Sequence, residues 1–364
     1  MRRPKACSGS IAVAALNFAR LFARSFLFEL EDALLNALIT VRDIHFGSSV
    51  IVAGIVFFDL FIASSALRRP DLRPAAAMVA FRTWTAAILW ISLALSIVTG
   101  FAWLCLLAAR ISGKPFTDVM TDDTIWTVLS QTQFGLAWEL RFLFAVALAA
   151  SLLLRSAKKA DASVRPEMLW QKVPAAIFAG AYLGALAFAG HGEEGLGFER
   201  YAHLAADFCH LVAAGLWLGG LIPFALLLLC LRRFREGTWI AVACDAAHRF
   251  SSLGIVAVGI LLASGTINAL FLIGRVQAVA GTDYGRLLLL KVTLFAAMVG
   301  LAGINRQYLL PRLFGDVGID QGSRMIRWLV CSALIEIIFG FGVILIVGML
   351  GIMSPASDVP AHLH

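Results

Sequence analysis

Residues 203–235 read HLAADFCHLVAAGLWLGGLIPFALLLLCLRRFR, an apolar run broken near its start by His203, Asp207 and His210 and stopped by Arg232, Arg233 and Arg235. The run exceeds the roughly 20 apolar residues needed to cross a bilayer. With no water to bond its backbone, such a segment must be a helix. At 100° per residue, His203, Asp207 and His210 fall within an arc of about 60° and spread over roughly 10 Å of rise. Two imidazoles and a carboxylate therefore line one face. Ionisable groups at membrane depth are costly, so they face a cavity, a partner helix or a bound ion. A single histidine here would be read as holding the bundle together; three such groups on one face favour work on an ion. Trp217 and Gly219-Gly220 follow, where small residues permit close helix approach.

Working outward, the whole chain has the same character. Its 364 residues are 60% hydrophobic and only 15% charged, with a mean hydropathy of +0.86. These values lie outside the range of soluble domains. The fold class expected is all-α, a polytopic helical membrane protein of about eight transmembrane helices. The spans predicted are 44–66, 84–109, 134–154, 172–190, 203–231, 250–273, 286–309 and 327–352. A short interfacial helix is expected near Trp126. Residues 1–41 read as an N-terminal extension, with Arg20 and Arg24 interrupting its apolar stretch: an interfacial amphipathic helix or, alternatively, an extra span. Residues 42–364 form the eight-helix domain.

A net charge of +7 would suggest nucleic acid in a soluble protein; here basic loops account for it, and the partner is the lipid bilayer. Four alternate loops carry seventeen Lys/Arg, among them Arg68, Arg69, Lys158, Lys159, Arg232, Arg233 and Arg312, against five in the others. By the positive-inside rule the basic loops face the cytoplasm, so both ends of the eight-helix core face the periplasm. The six cysteines are scattered without a C-x-x-C pair and indicate neither a disulfide framework nor a zinc site.

This topology sorts the ionisable groups. His45, His203 and His210 fall in the outer halves of their spans, and His191 in the outer loop His191-Gly192-Glu193-Glu194, a place suited to first capture of a cation. His362, His364, Met120, Met349 and Met353 also lie toward that side. Imidazole and thioether at an outward-facing entrance are ligands suited to copper. His203 and His210, about two turns apart, are too far separated to share one ion ligated at about 2 Å. His45 or His191 must therefore join one of them, or two successive sites exist, with Asp207 orienting an imidazole or neutralising the ion. Arg141 and Lys291 are expected either to pair with Glu139, Asp207 or Glu336, or to tune an ion path. No G-x-x-x-x-G-K-[ST], Ser-His-Asp or H-E-x-x-H pattern occurs, so neither an ATP-driven pump nor an enzyme is expected.

Residues 249–312 carry RFSSLGIVAVG, SGTIN, TDYGRLLLLK ending at Lys291, then Asn305-Arg306 and Pro311-Arg312. This run resembles the CopD family of bacterial copper-resistance and copper-uptake inner-membrane proteins. The likeness extends to Phe134-Gly135, Arg141, the 203–220 stretch and Arg42-x-x-His45. It implies eight spans, inward movement of copper, a periplasmic partner of the CopC type, and copper-handling roles for His45, His203 and His210. One departure is Gln133 before Phe134-Gly135, where the family commonly has arginine. Two other functions fit the same residues: an electron-transfer protein holding haem b between His45 and His210 on facing helices, and a membrane receptor for a periplasmic copper carrier.

Overall fold

The computed structural model describes residues 8–67, 76–161, 168–189, 197–234, 239–273, 281–314 and 319–353. His191 with its acidic loop, and His362 and His364, lie outside the described residues. Among the described residues there is no strand, and eight helices are long and apolar enough to cross a membrane. They are α1 (Ala33–Ala66), α2 (Ala76–Ser112), α3 (Gln133–Ala157), α4 (Leu169–Ala189), α5 (Glu199–Arg233), α6 (Trp239–Phe271), α7 (Asp283–Leu313) and α8 (Asp320–Leu350). The chain is an all-α polytopic membrane protein.

Most spans begin earlier than hydropathy suggests. The first helix is continuous from Ser8 to Phe58 and passes straight through Arg42 and Asp43. Those charges do not end it because both are buried in the bundle. Arg42 donates to the Gly351 carbonyl at 2.6 Å and lies over the rings of Phe46 and Trp103. The interfacial helix expected near Trp126 is Thr124–Gln131; it exposes Trp126 and packs Val128 against Leu104 and Ala108.

Among the described residues, three spans contain a π-turn: Asp59–Ala63 in α1, Gly215–Gly219 in α5 and Asn305–Leu309 in α7. The last two have a local cause. Pro223 and Pro311 lack the N–H that would bond the carbonyl four residues earlier, at Gly219 and Gln307, and the widened turn absorbs the break.

α1 and α5 form the interior of the bundle: 72% of the most apolar window of each is buried, against 6% for α7. α1 packs against α2, α4, α5 and α8, while α5 pairs with α6 and α7 with α8. Lipid tails are as apolar as leucine, so close packing rather than expulsion from water holds these helices together. The closest approach is between α1 and α5. A Cβ on Gly54 would lie 2.3 Å from the Gly219 Cα, and one on Gly219 would lie 2.2 Å from the Val50 carbonyl oxygen. Gly219 is therefore required for backbone-to-backbone contact. At the basic end, Asp59 of α1 joins α3 and α4 by binding Arg155 at 2.9 Å and Lys172 at 2.6 Å.

Candidate functional site

Among the described residues, two polar clusters built around histidine lie inside the bundle, both in the halves remote from the basic loops. The first is built around His45 on α1, which is 3% exposed. Its Nδ1 sits 2.8 Å from the Ser96 carbonyl and 3.2 Å from the Thr99 hydroxyl of α2. A carbonyl only accepts, so Nδ1 carries the proton and Nε2 holds the lone pair. Arg141 of α3 donates to that lone pair at 2.8 Å. The same guanidinium donates to the Ser49 hydroxyl at 3.0 Å and to the Tyr182 carbonyl, and lies 4.3 Å over the Tyr182 ring. Tyr182 in turn donates to the Ser96 hydroxyl at 2.8 Å. The partners hydrogen-bonded to Arg141 are all neutral, so the expected pairing of Arg141 with a carboxylate is replaced by pairing with an imidazole.

The second cluster is the α5 stripe. His210 places Nδ1 3.0 Å from the Ser264 hydroxyl of α6, and that hydroxyl donates its own proton to the Ile260 carbonyl at 2.6 Å. His210 Nδ1 must therefore donate, leaving the Nε2 lone pair available. Gly265 faces the ring; a Cβ there would lie 3.4 Å from His210 Cε1. About two turns closer to the helix start, His203 stacks on Phe271 at 5.0 Å and is 6% exposed. Its Nε2 is buried without a hydrogen-bond partner and lies 4.0 Å from Asp207 Oδ2. Asn268 donates to the other carboxylate oxygen, Oδ1. From α7, the Lys291 ammonium attracts Asp207 and repels charge on His210. Lys291 thus acts on Asp207 as a through-space attraction and not as the direct ion pair expected.

Chemically, the two clusters differ. Both ring nitrogens of His45 are engaged. On α5 an imidazole nitrogen and a carboxylate oxygen 4.0 Å apart leave room for one ion bound at about 2.0–2.2 Å from each. His210 Nε2 offers a further nitrogen about two turns along the same face. Among the described residues no group of three or more His, Cys, Asp or Glu side chains is close enough to hold a metal ion. The structure thus brings His203 and Asp207 together with His210 on the same face. It places His45 apart, with hydrogen-bond and ring partners on α1, α2 and α3 rather than on the stripe. A haem held between His45 and His210 would need the His45 nitrogen that Arg141 occupies.

Sequence reasoning passed over Ser96, Ser264 and Tyr182 as partners and did not join Asn268 to Asp207. Small hydroxyl residues in apolar spans carry almost no signal until the facing helix is known. Glu336, expected near Arg141 or Lys291, instead accepts from Asn305 at 2.9 Å and Ser332 at 3.4 Å.

The fold and these clusters define a membrane protein with eight spanning helices among the described residues and with histidine and carboxylate side chains inside its bundle. Two family models match it: "Copper resistance protein D-like, N-terminal domain" over residues 31–201 and "Copper resistance protein D" over residues 245–350. Copper resistance protein D of Pseudomonas syringae pv. tomato is 30% identical over 330 residues, covering 88% of this chain and 97% of that protein. Inner membrane protein YebZ of Escherichia coli is 30% identical over 317 residues, covering 87% and 98%. Copper transport protein CutJ of Bacillus subtilis is 32% identical over 193 residues, covering 53% of this chain and 34% of that protein. No solved structure gives a significant match. The chain belongs to the copper resistance protein D family.

Proposed function

We propose that this protein is a copper permease of the bacterial inner membrane that moves the ion from the periplasm toward the cytoplasm and performs no chemistry on it. The names of the relatives point to copper and to the inner membrane. The loop charges support the orientation, with the basic loops in the cytoplasm, and inward movement is what the likeness to the family implies. The observation that carries the reading is the buried, unpartnered His203 Nε2 facing Asp207 Oδ2 at 4.0 Å. A buried nitrogen without a partner costs about 1–3 kcal/mol, which a bound ion removes.

Copper captured at the outer face, with His191 in the neighbouring loop, is held between His203 and Asp207 and passes to His210 Nε2. Lys291 keeps the hold weak, because a like charge beside the path opposes deep trapping of a cation. A conducted ion must be bound well enough to enter and poorly enough to leave. His45 takes the ion only when Arg141 leaves Nε2, because a guanidinium and a copper ion compete for the same lone pair. A periplasmic copper-binding protein of the CopC type would deliver the ion to this face.

Uptake into proteoliposomes, measured with and without such a carrier, tests this. His203→Ala, Asp207→Asn and His210→Ala should each lower uptake at least tenfold while the purified protein stays folded. Wild-type uptake in all three variants refutes the path. Reporter fusions after Arg69 and Arg233 should read cytoplasm; a periplasmic signal at Arg233 refutes the orientation and with it the outward-facing placement of the histidines.

A further inference from the structure

Between α5, α6, α7 and α8, in the halves nearest the basic loops, lies a cavity of about 210 Å³ walled by Trp217, Phe224, Phe250 and Val299. At about 30 Å³ per molecule it has room for several waters. Glu336 lines it yet is only 2% exposed. Both hydrogen bonds to Glu336, from Asn305 Nδ2 and Ser332 Oγ, fall on Oε1. Oε2 receives none from the described residues. Asn305 Oδ1 is likewise buried without a partner. The other ionisable group lining the cavity, Arg306, donates to Ser251 at 2.9 Å. The donors on Glu336 are therefore neutral, although an unpaired buried carboxylate is among the most costly groups a bilayer protein can carry.

Two acceptors without donors call for a positive species. The cavity offers few oxygens, those of Glu336, Asn305 and the nearby serines, against apolar walls. A hard metal ion, which takes six or more oxygen ligands, is poorly served there. A proton needs one oxygen and turns an unmet acceptor into a donor.

We propose that Glu336 is a proton-exchange site, loaded through this cavity from the side of the basic loops. A hydronium ion in the cavity water gives its proton to Oε2, forming an O–H bond and leaving water; release is the reverse, and no electrons move. Coupling of that proton to copper movement rests on the permease reading above, whereas the exchange itself does not.

The test is infrared difference spectroscopy of the reconstituted protein through pH steps. The wild type should show a carboxylic-acid carbonyl band that grows as pH falls. Glu336→Gln, which keeps shape and hydrogen-bonding reach, should lose that band, and Glu336→Asp should keep it at a shifted midpoint. A wild-type spectrum identical to that of Glu336→Gln overturns the proposal. So does a band that responds to Na⁺ at constant pH instead of to pH. In parallel, a pH-sensitive dye inside proteoliposomes should report a proton leaving as copper enters, with this signal lost in Glu336→Gln. Copper uptake without either signal removes the proton site and leaves the permease standing. The infrared band without any copper uptake removes the permease and leaves the site.

Discussion

Replacing Arg141 by methionine, which keeps a long apolar stem without the charge, isolates what the guanidinium does to His45. In the wild type a copper ion reaching Nε2 must first break a buried, charge-assisted hydrogen bond 2.8 Å long. Bonds of this kind contribute about 1.5–3 kcal/mol. Arg141→Met removes that competition, so copper affinity at His45 should rise about 10- to 150-fold. Stability is pulled both ways. The variant strands the His45 nitrogen and the Tyr182 carbonyl, at about 1–3 kcal/mol each, and removes a buried cation without an anionic partner, a relief of several kcal/mol. The purified variant should therefore survive for measurement. Competition against a copper chelator in detergent, with His45→Ala added to both backgrounds, gives the answer. An unchanged affinity in Arg141→Met, or a gain that persists after His45→Ala, would show that His45 is no copper ligand and that the arginine only holds helices together.

Gly54→Ala should cost about 1–3 kcal/mol in thermal or denaturant unfolding, because the new methyl meets Gly219 backbone and no flexible side chain can give way. Gly259→Ala, with nothing within 4 Å of its Cβ position, should be near neutral; equal effects would refute the close α1–α5 contact. Asp59→Asn should destabilise by about 1–2 kcal/mol, less than the ~3–5 expected for a fully buried pair, since the Asp59 side chain is 39% exposed; an unchanged melting profile would show that its two cations do not need it. In the loop between α2 and α3, the Lys114 ammonium and the Thr124 hydroxyl and amide hold the Asp122 carboxyl down at about 2 from its ordinary 3.8. A carboxyl held low stabilises the loop above its ordinary range, and that contribution is lost as pH falls through about 2. Carboxyl-carbon NMR should show this midpoint, and Lys114→Ala should move it upward.

Hydropathy and spacing made the eight spans legible because a bilayer leaves the backbone no choice but the helix. The α5 stripe was legible for the same reason: once the segment is helical, the spacing of His203, Asp207 and His210 fixes their common face. Where the stripe points was not, since Ser264 and Asn268 match the signature of any apolar span that contains a hydroxyl or an amide. Arg42 and Asp43 misled in the opposite direction. Charges normally mark the end of a span, but here the Gly351 carbonyl and two aromatic rings receive the arginine inside the bundle. The joining of Arg141 to His45 was hidden by a habit of pairing opposite charges. A neutral imidazole with its proton fixed on the far nitrogen also accepts a hydrogen bond from a guanidinium, and only the position of Ser96 reveals that the proton is fixed there.

The uneven burial of the helices has a mechanical consequence. α1 and α5 touch backbone to backbone and cannot part without losing the contact that both glycines exist to allow. α7, which brings Lys291 to the stripe, keeps only 6% of its apolar window inside the protein. In the permease proposed above, one wall of the ion path would thus belong to a fixed keel, and the opposite wall would be set against acyl chains. Membrane thickness and tail order would then press directly on the spacing between Lys291 and Asp207, making the lipid a working part of the proposed ion path and not merely its container.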